Sequence, residues 1–237
     1  MANFKVKNLA KVSSFAGILF ASVFSCHTFA MTPFQASYQF QYNGKNVGSA
    51  TRTLSKSGNQ WNYVFAAKAV GLASAKESSQ FTLNGSQIVS NNFNRTSKVL
   101  VHNKSMSMDF NPKTQVISTK KDDKSRSFSW KNGVLDELNA ELQIREDLKK
   151  NALKSNYLIA DAKEVESRQF IKQGTEKIKA GNTTYDTVKI VMKNTKPGRE
   201  TIFWLAPSLD YAPVKVTHVD QKSSYGLLLT NYKDASI

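Results

Sequence analysis

The sequence predicts an all-β protein, mainly antiparallel: a large twisted, curved sheet or open barrel-like meander with one amphipathic helix. Three observations predict it. Apolar and polar residues alternate at period two in several runs, the pattern of strands with one buried face. Turn-forming residues separate these runs at short intervals, as sequential hairpins require. Helical spacing free of Gly and Pro occurs in one stretch, whereas parallel strands would need a crossover of about a dozen residues between each pair.

The chain has 237 residues, and its opening carries Lys5, Lys7 and Lys11 without an acid, then a mostly apolar run from Val12 to Phe24, then Thr28-Phe29-Ala30. This is the pattern of a secretory signal over 1–30, cut between Ala30 and Met31. Its apolar core is shorter than the roughly 20 residues a spanning helix needs, and no later segment approaches that length. An alternative reading sets Cys26 in a lipobox, Val23-Phe24-Ser25-Cys26, with lipidation of the cysteine. The bulky Phe24 fits that pattern poorly. Residues 31–237 are expected to form a single β-rich domain, periplasmic or secreted, or anchored through Cys26 in the alternative. Cys26 is the one cysteine of the chain, so core packing without disulfides must hold the domain.

Phe34, Ala36, Tyr38, Phe40 and Tyr42 alternate with Gln35, Ser37, Gln39 and Gln41, and Asn43-Gly44 turns the chain. The pattern repeats at Trp61, Tyr63, Phe65 and Ala67, at Met106, Met108 and Phe110, and at Phe128 and Trp130. Turn signals stand at Lys56-Ser57-Gly58-Asn59, Asn84-Gly85, Asn111-Pro112, Lys131-Asn132-Gly133, Gly181-Asn182 and Lys196-Pro197-Gly198. Between two meanders, about 34–134 and 156–233, the segment from Asp136 to Lys150 reads as the helix. Asp136 is a suitable N-cap. Leu135, Leu138 and Leu142 fall within about 60° on a helical wheel, with Leu148 on the same side. Arg145 projects between Leu138 and Leu148, where its stem is expected to cover apolar surface while the head reaches water; an anion-binding role is the sharper alternative.

The formal net charge of +15 includes the three lysines of the expected signal. The excess suits anionic surfaces such as phospholipid head groups or acidic glycans. Nucleic acid is not an expected partner of an exported protein. The densest basic cluster, Lys120 to Arg126, is interrupted by Asp122 and Asp123 and reads as a solvated loop.

Catalytic patterns are sparse. No Gly-x-Ser-x-Gly, His-Glu-x-x-His or phosphate-cradling glycine loop occurs, and thiol chemistry has no cysteine beyond the expected signal. His218 and Asp220 share one face of a strand and could hold a metal or a proton, but two ligands do not make a site; a solvated face is expected. Glu137 with Glu141, and Glu164 with Glu166, could imitate a glycosidase pair; surface solvation is expected for both. No catalytic residue, metal or cofactor is assigned. Trp61, Tyr63, Phe65, Phe128, Trp130, Trp204, Tyr211 and Tyr225 supply large rings that either fill a core or wall a ligand cavity.

Arg199-Glu200-Thr201-Ile202-Phe203-Trp204-Leu205-Ala206-Pro207, then Tyr211-Ala212-Pro213-Val214-Lys215-Val216 and a closing Tyr225-Gly226-Leu227-Leu228-Leu229, resemble the end of the DUF3108 family of exported bacterial proteins. The early Tyr38 strand leading to Gly44 and Val47-Gly48, then Ser79-x-Phe81, and Ile144-Arg145 extend the resemblance over most of residues 31–237. It implies an exported twisted β-sheet protein of unknown function and supplies no catalytic residues. Pro207 and Pro213 fix the backbone between two strands, and the aromatics beside them, Trp204 and Tyr211, could shape a cleft rim. Arg145, Trp204 and Tyr211 are therefore the candidate ligand-binding residues. The expected role is noncatalytic binding of an anionic or amphipathic envelope molecule, a lipid or a glycan. The alternatives are an envelope glycan hydrolase or lyase with carboxylates from separate strands, and an assembly factor that contacts envelope proteins.

Overall fold

The structure, a computed structural model, describes residues 31–71, 73–193, 197–220 and 223–235. The expected signal, its cleavage point at Ala30 and Cys26 lie outside the described residues, as does Lys196 of the last turn signal. The described residues form one antiparallel sheet of fourteen strands and one α-helix. The first meander comprises β1 (Phe34–Tyr42), β2 (Lys45–Ser57), β3 (Gln60–Ala69), β4 (Ala73–Asn84), β5 (Gln87–Val99), β6 (His102–Asn111), β7 (Val116–Lys121) and β8 (Lys124–Ser129). The helix α1 (Glu137–Lys149) follows, and then β9 (Asn156–Ala160), β10 (Val165–Ala180), β11 (Thr183–Lys193), β12 (Arg199–Ala206), β13 (Ala212–Asp220) and β14 (Ser223–Asp234).

Every strand pairs with its chain neighbours within its meander, and β1 pairs with β14, Tyr38 opposite Leu229. The first and last strands thus weld the two meanders into one sheet with edges at β8 and β9. The sheet is not closed; its β9 edge is covered, while β8 is exposed along most of its length. Leu135 forms a parallel bridge to Ile159, donating its N–H to Leu158 O at 3.0 Å and accepting from Ala160 N at 2.8 Å. Thr119 of β7 donates its hydroxyl to Ala162 O at 3.1 Å. The Leu135 bridge uses backbone groups that a bare β9 edge would offer to another chain.

The alternation sorts the strands as expected. Phe34, Ala36, Tyr38, Trp61, Tyr63, Met106, Met108 and Phe110 are buried on the inner face, while Gln35 is exposed on the outer face of β1. Apolar in and polar out is the reverse of a lipid-facing strand. Two strands of small and polar composition, β4 and β5, escape the periodicity reading because Ser79 and Ser90 take inner positions. The expected loop at Lys120 to Arg126 is instead the β7–β8 hairpin. Its two-residue turn is made possible by Asp122 at φ 52°, a left-handed conformation that Asp tolerates better than most residues.

The helix begins and ends where the sequence places it, with the Asp136 side chain accepting from Asn139 N. Its expected wet face does not exist: every residue from Leu138 to Leu148 is buried. The sheet curls around α1, and polar groups on the sheet's inner wall meet polar groups of the helix, so burial leaves most of them hydrogen-bonded, with Asn139 Oδ1 and Arg145 Nη1 the exceptions on the helix. The reading of Arg145 as a surface-reaching side chain is corrected by the same enclosure. Its side chain is 3% exposed, its guanidinium carbon lies 4.6 Å from the Phe34 ring centroid, and Nε and Nη2 donate to Asp210 O at 3.2 and 3.1 Å.

Candidate functional site

Contacts along β5 show how far the helix reaches. Ile88, near the start of the strand, donates its N–H to Gln143 Oε1 at 2.7 Å; Ser90 donates to Asp136 Oδ2 at 3.1 Å; Arg95 bonds Glu137. At the other terminus Lys149 Nζ donates to Asp210 Oδ2 at 2.6 Å, in the β12–β13 connection. The helix therefore plugs one end of the curled sheet. Past its N-terminus the inner wall continues uncovered and encloses a cavity of about 520 Å³.

Both meanders build its wall. Phe40 and Phe65 come from the first, and Phe170, Met192, Phe203 and Val216 from the second, with Leu138, Ala140 and Ile144 of α1 closing the depth. Gly226 is also on this wall, where a Cβ would stand 2.5 Å from Val216 O, so glycine lets β13 and β14 approach.

Two ionic clusters cross the cavity floor. Arg52 Nη1 lies 2.7 Å from Glu141 Oε2 and donates to Tyr63 OH at 3.0 Å; Tyr63 OH in turn donates to Glu141 Oε1 at 2.7 Å. The second cluster runs from β4 to β10 through the helix. Arg95 donates to Glu77 at 2.6 Å and to Glu137, and Arg168 donates to Glu137 Oε1 at 2.9 Å and to Glu166 at 3.3 Å. Burial pushes the Glu137 carboxyl upward, but the guanidiniums of Arg95 and Arg168 outweigh it and hold it at about 2. The Glu137 side chain is 36% exposed because it faces the cavity. Asp136, one residue earlier, is sealed: Ser79, Ser90 and Asn139 all donate to Oδ2, and burial still raises its carboxyl to about 6.

These positions correct the expectation that Glu137 and Glu141 are surface-solvated. They turn inward because the helix that carries them is enclosed, and each meets an arginine. His218 also leaves its expected solvated face: it lines the cavity, shares a 2.8 Å hydrogen bond between Nδ1 and Thr201 Oγ1, and stacks on Tyr225 at 4.9 Å. Burial lowers its proton affinity. Asp220 turns to Arg199, 2.8 Å away. Among the described residues no three His, Cys, Asp or Glu side chains converge as a metal site.

The sequence profile of a family described as a protein of unknown function, DUF3108, matches residues 37–230. The chain belongs to the DUF3108 family. A search of curated proteins finds no match. Among solved structures, this DUF3108 member is similar to the crystal structure of a β-barrel-like protein of the domain of unknown function DUF1849 from Brucella abortus. The TM-score is 0.54 at 12% identity, over 87% of this chain and 99% of that chain. At that identity the likeness concerns the fold alone.

In this DUF3108 member the three residues singled out from sequence are not gathered in the cavity. Arg145 and Tyr211 are brought together at the plugged end, Arg145 through Asp210 and Tyr211 through chain adjacency, with both Asp210 and Tyr211 in the left-handed region at φ 53° and 57°. Trp204 lies on the opposite face of β12 from Phe203. Its indole Nε1 donates to Glu176 at 2.6 Å, and the ammonium groups of Lys215 and Lys189 stand 4.5 and 5.5 Å from its ring. Of the aromatics named from sequence, Phe65 and Tyr225 do line the cavity. The site residues that sequence reasoning passed over are Arg52, Arg95 and Arg168. A signal existed: each stands two positions from a buried apolar residue of its strand, in Arg52-x-Leu54, Phe93-x-Arg95 and Arg168-x-Phe170. Period two therefore turns each arginine inward.

Proposed function

We propose that this protein is an exported, noncatalytic binding protein of the cell envelope that holds an amphipathic molecule in the cavity above α1. The observation that carries the reading is the half-filled interior. The helix stops short and leaves about 520 Å³ walled by aromatic and aliphatic side chains from both meanders, within the roughly 300–1,000 Å³ of small-molecule sites. An apolar chain fits against Phe40, Phe65, Phe170 and Phe203, and a polar group fits against the clusters of Arg52 and Arg95. Export rests on the sequence of residues 1–30.

The chemistry of the wall favours binding over hydrolysis. A glycosidase acid needs a carboxyl held protonated near its working pH. Glu137 is held ionised by two arginines, and Asp136, whose carboxyl is raised, is fully buried behind Ser79 and Ser90.

The test is native mass spectrometry of the protein taken gently from a bacterial envelope, joined to uptake of a fluorescent acyl-chain probe. Ala75 lies on the cavity wall, and Ala75→Trp fills the space. The expected results are a co-purified amphipathic molecule, and probe uptake that falls at least about tenfold in the variant, the loss of roughly 1.4 kcal/mol of binding. A clean unliganded mass together with no uptake by the unaltered protein would sink the reading.

A further inference from the structure

The exposed large apolar residues among those described are Tyr42, Val70, Val99, Leu100, Val101 and Tyr225. All six lie at the end of the sheet where the cavity opens. Val70 follows β3, and Leu100 and Val101 join β5 to β6; these hairpins also carry Ala67, Ala75 and Arg95 on the cavity wall. At the plugged end the hairpin turns are Gly58-Asn59, Gly85-Ser86 and Gly181-Asn182, the polar and glycine residues that turns ordinarily take.

The β5–β6 turn departs from that chemistry. Leu100 occupies a left-handed conformation at φ 53°, unfavourable for a bulky side chain, and it is 61% exposed, beside Val101 at 81% and opposite Val70 at 83%. A strained apolar tip held in water gains nothing for the fold. The neighbouring charges are mainly positive, with Asp122 of the adjacent β7–β8 turn the acid beside them. Lys68, Lys76, Lys98 and Lys104 are exposed, and the acid between them in these hairpins, Glu77, points inward to Arg95. Between the two tips lies a groove of about 740 Å³ lined by Lys68, Lys98, Val70 and Leu100.

We propose that this rim docks on the surface of an anionic phospholipid bilayer. Val70, Leu100 and Val101 enter the headgroup layer, Lys68 and Lys98 meet lipid phosphates across the groove, and the cavity mouth is brought to the membrane. Apolar tips flanked by lysines combine the two forces that hold proteins at an interface, burial of apolar surface and attraction to anionic lipid. The inference extends the carrier reading to where its ligand is exchanged, yet it stands on different residues and can fail separately.

Sedimentation with vesicles tests it, using equal parts phosphatidylglycerol and phosphatidylcholine against phosphatidylcholine alone. The protein is expected to bind the anionic vesicles more tightly, and less so as salt is raised. Leu100→Asn with Val101→Gly supplies an ordinary hairpin turn; it should keep or raise thermal stability while weakening vesicle binding at least about tenfold, as loss of two buried apolar side chains implies. Lys68→Glu with Lys98→Glu should abolish the preference for anionic vesicles. Ala75→Trp should bind vesicles like the unaltered protein, so docking and cavity uptake are read independently. Failure of the unaltered protein to bind anionic vesicles, or binding by both rim variants as tight as that of the unaltered protein, would overturn the proposal; in the first case the tips would be left to a protein partner.

Discussion

The plugged and open halves of the interior are built by the same strands, and they treat polar groups in opposite ways. Where α1 fills the curl, polar side chains of the helix meet partners on the wall and on the helix itself: Gln143 binds the Ile88 amide and the Asp147 side chain, and Asp147 also accepts from Tyr157 at 2.7 Å. Toward the N-terminus of the helix the wall keeps its charges in arginine–carboxylate clusters, Arg52 with Glu141 enclosed and Arg95 with Glu137 bordering the open cavity. Asp136 and Glu137 make the contrast across one peptide bond. The first is sealed and raised to about 6; the second faces the cavity between two arginines and is lowered to about 2. Burial alone therefore does not set the proton affinity of a carboxylate here; the presence of a cation within reach does.

The comparison can be broken most severely at Glu141. Glu141→Ala leaves Arg52 charged and enclosed without its partner, and removing one member of a buried pair costs about 3–5 kcal/mol, measurable as a shift in urea midpoint. Asp136→Ala should cost about 2 kcal/mol, since it removes the helix cap and deprives Ser79 and Asn139 of their acceptor.

The two carboxylates should then bend the pH profile of stability in opposite directions. Asp136, raised in the folded state, contributes most below about 4, and its contribution is lost as pH rises through about 6. Glu137, lowered in the folded state, contributes above about 4.5, and its contribution is lost as pH falls toward about 2. Asp136→Asn should flatten the first interval and Glu137→Gln the second; denaturation curves at stepped pH that leave either slope unchanged would remove the corresponding assignment. The smallest effect on binding is expected at Trp204. Trp204→Phe removes the bond to Glu176 on the outer face, and should cost about 1 kcal/mol of stability while leaving acyl-probe affinity unaltered. A fall in affinity would bring Trp204 back as a ligand contact.

Much of the fold was legible because its signals are local. Alternation at Phe34 to Tyr42 and at Trp61 to Ala67 set which side chains turn inward, and Asp136 set the helix start to the residue. The hairpin at Leu100-Val101 was not legible, because its apolar tip lacks turn chemistry, and at Val70 the lone Gly71 is the turn signal among apolar neighbours. The candidate site was only partly legible. Phe65 and Tyr225 were named among aromatics that either fill a core or wall a cavity, whereas the arginines that define the floor were passed over.

The sequence by itself determined the period of the strands, the length and cap of the helix, and the chain's excess of positive charge, since each is read from the residues without knowing what they meet in space. Only the tertiary structure decided that β1 and β14 join the meanders, that the helix is enclosed, and that Tyr63 meets Glu141 across 78 positions. The physical reason is that a charged or polar side chain is stable in the interior only beside its partner, and that partner is supplied by the curl of the sheet.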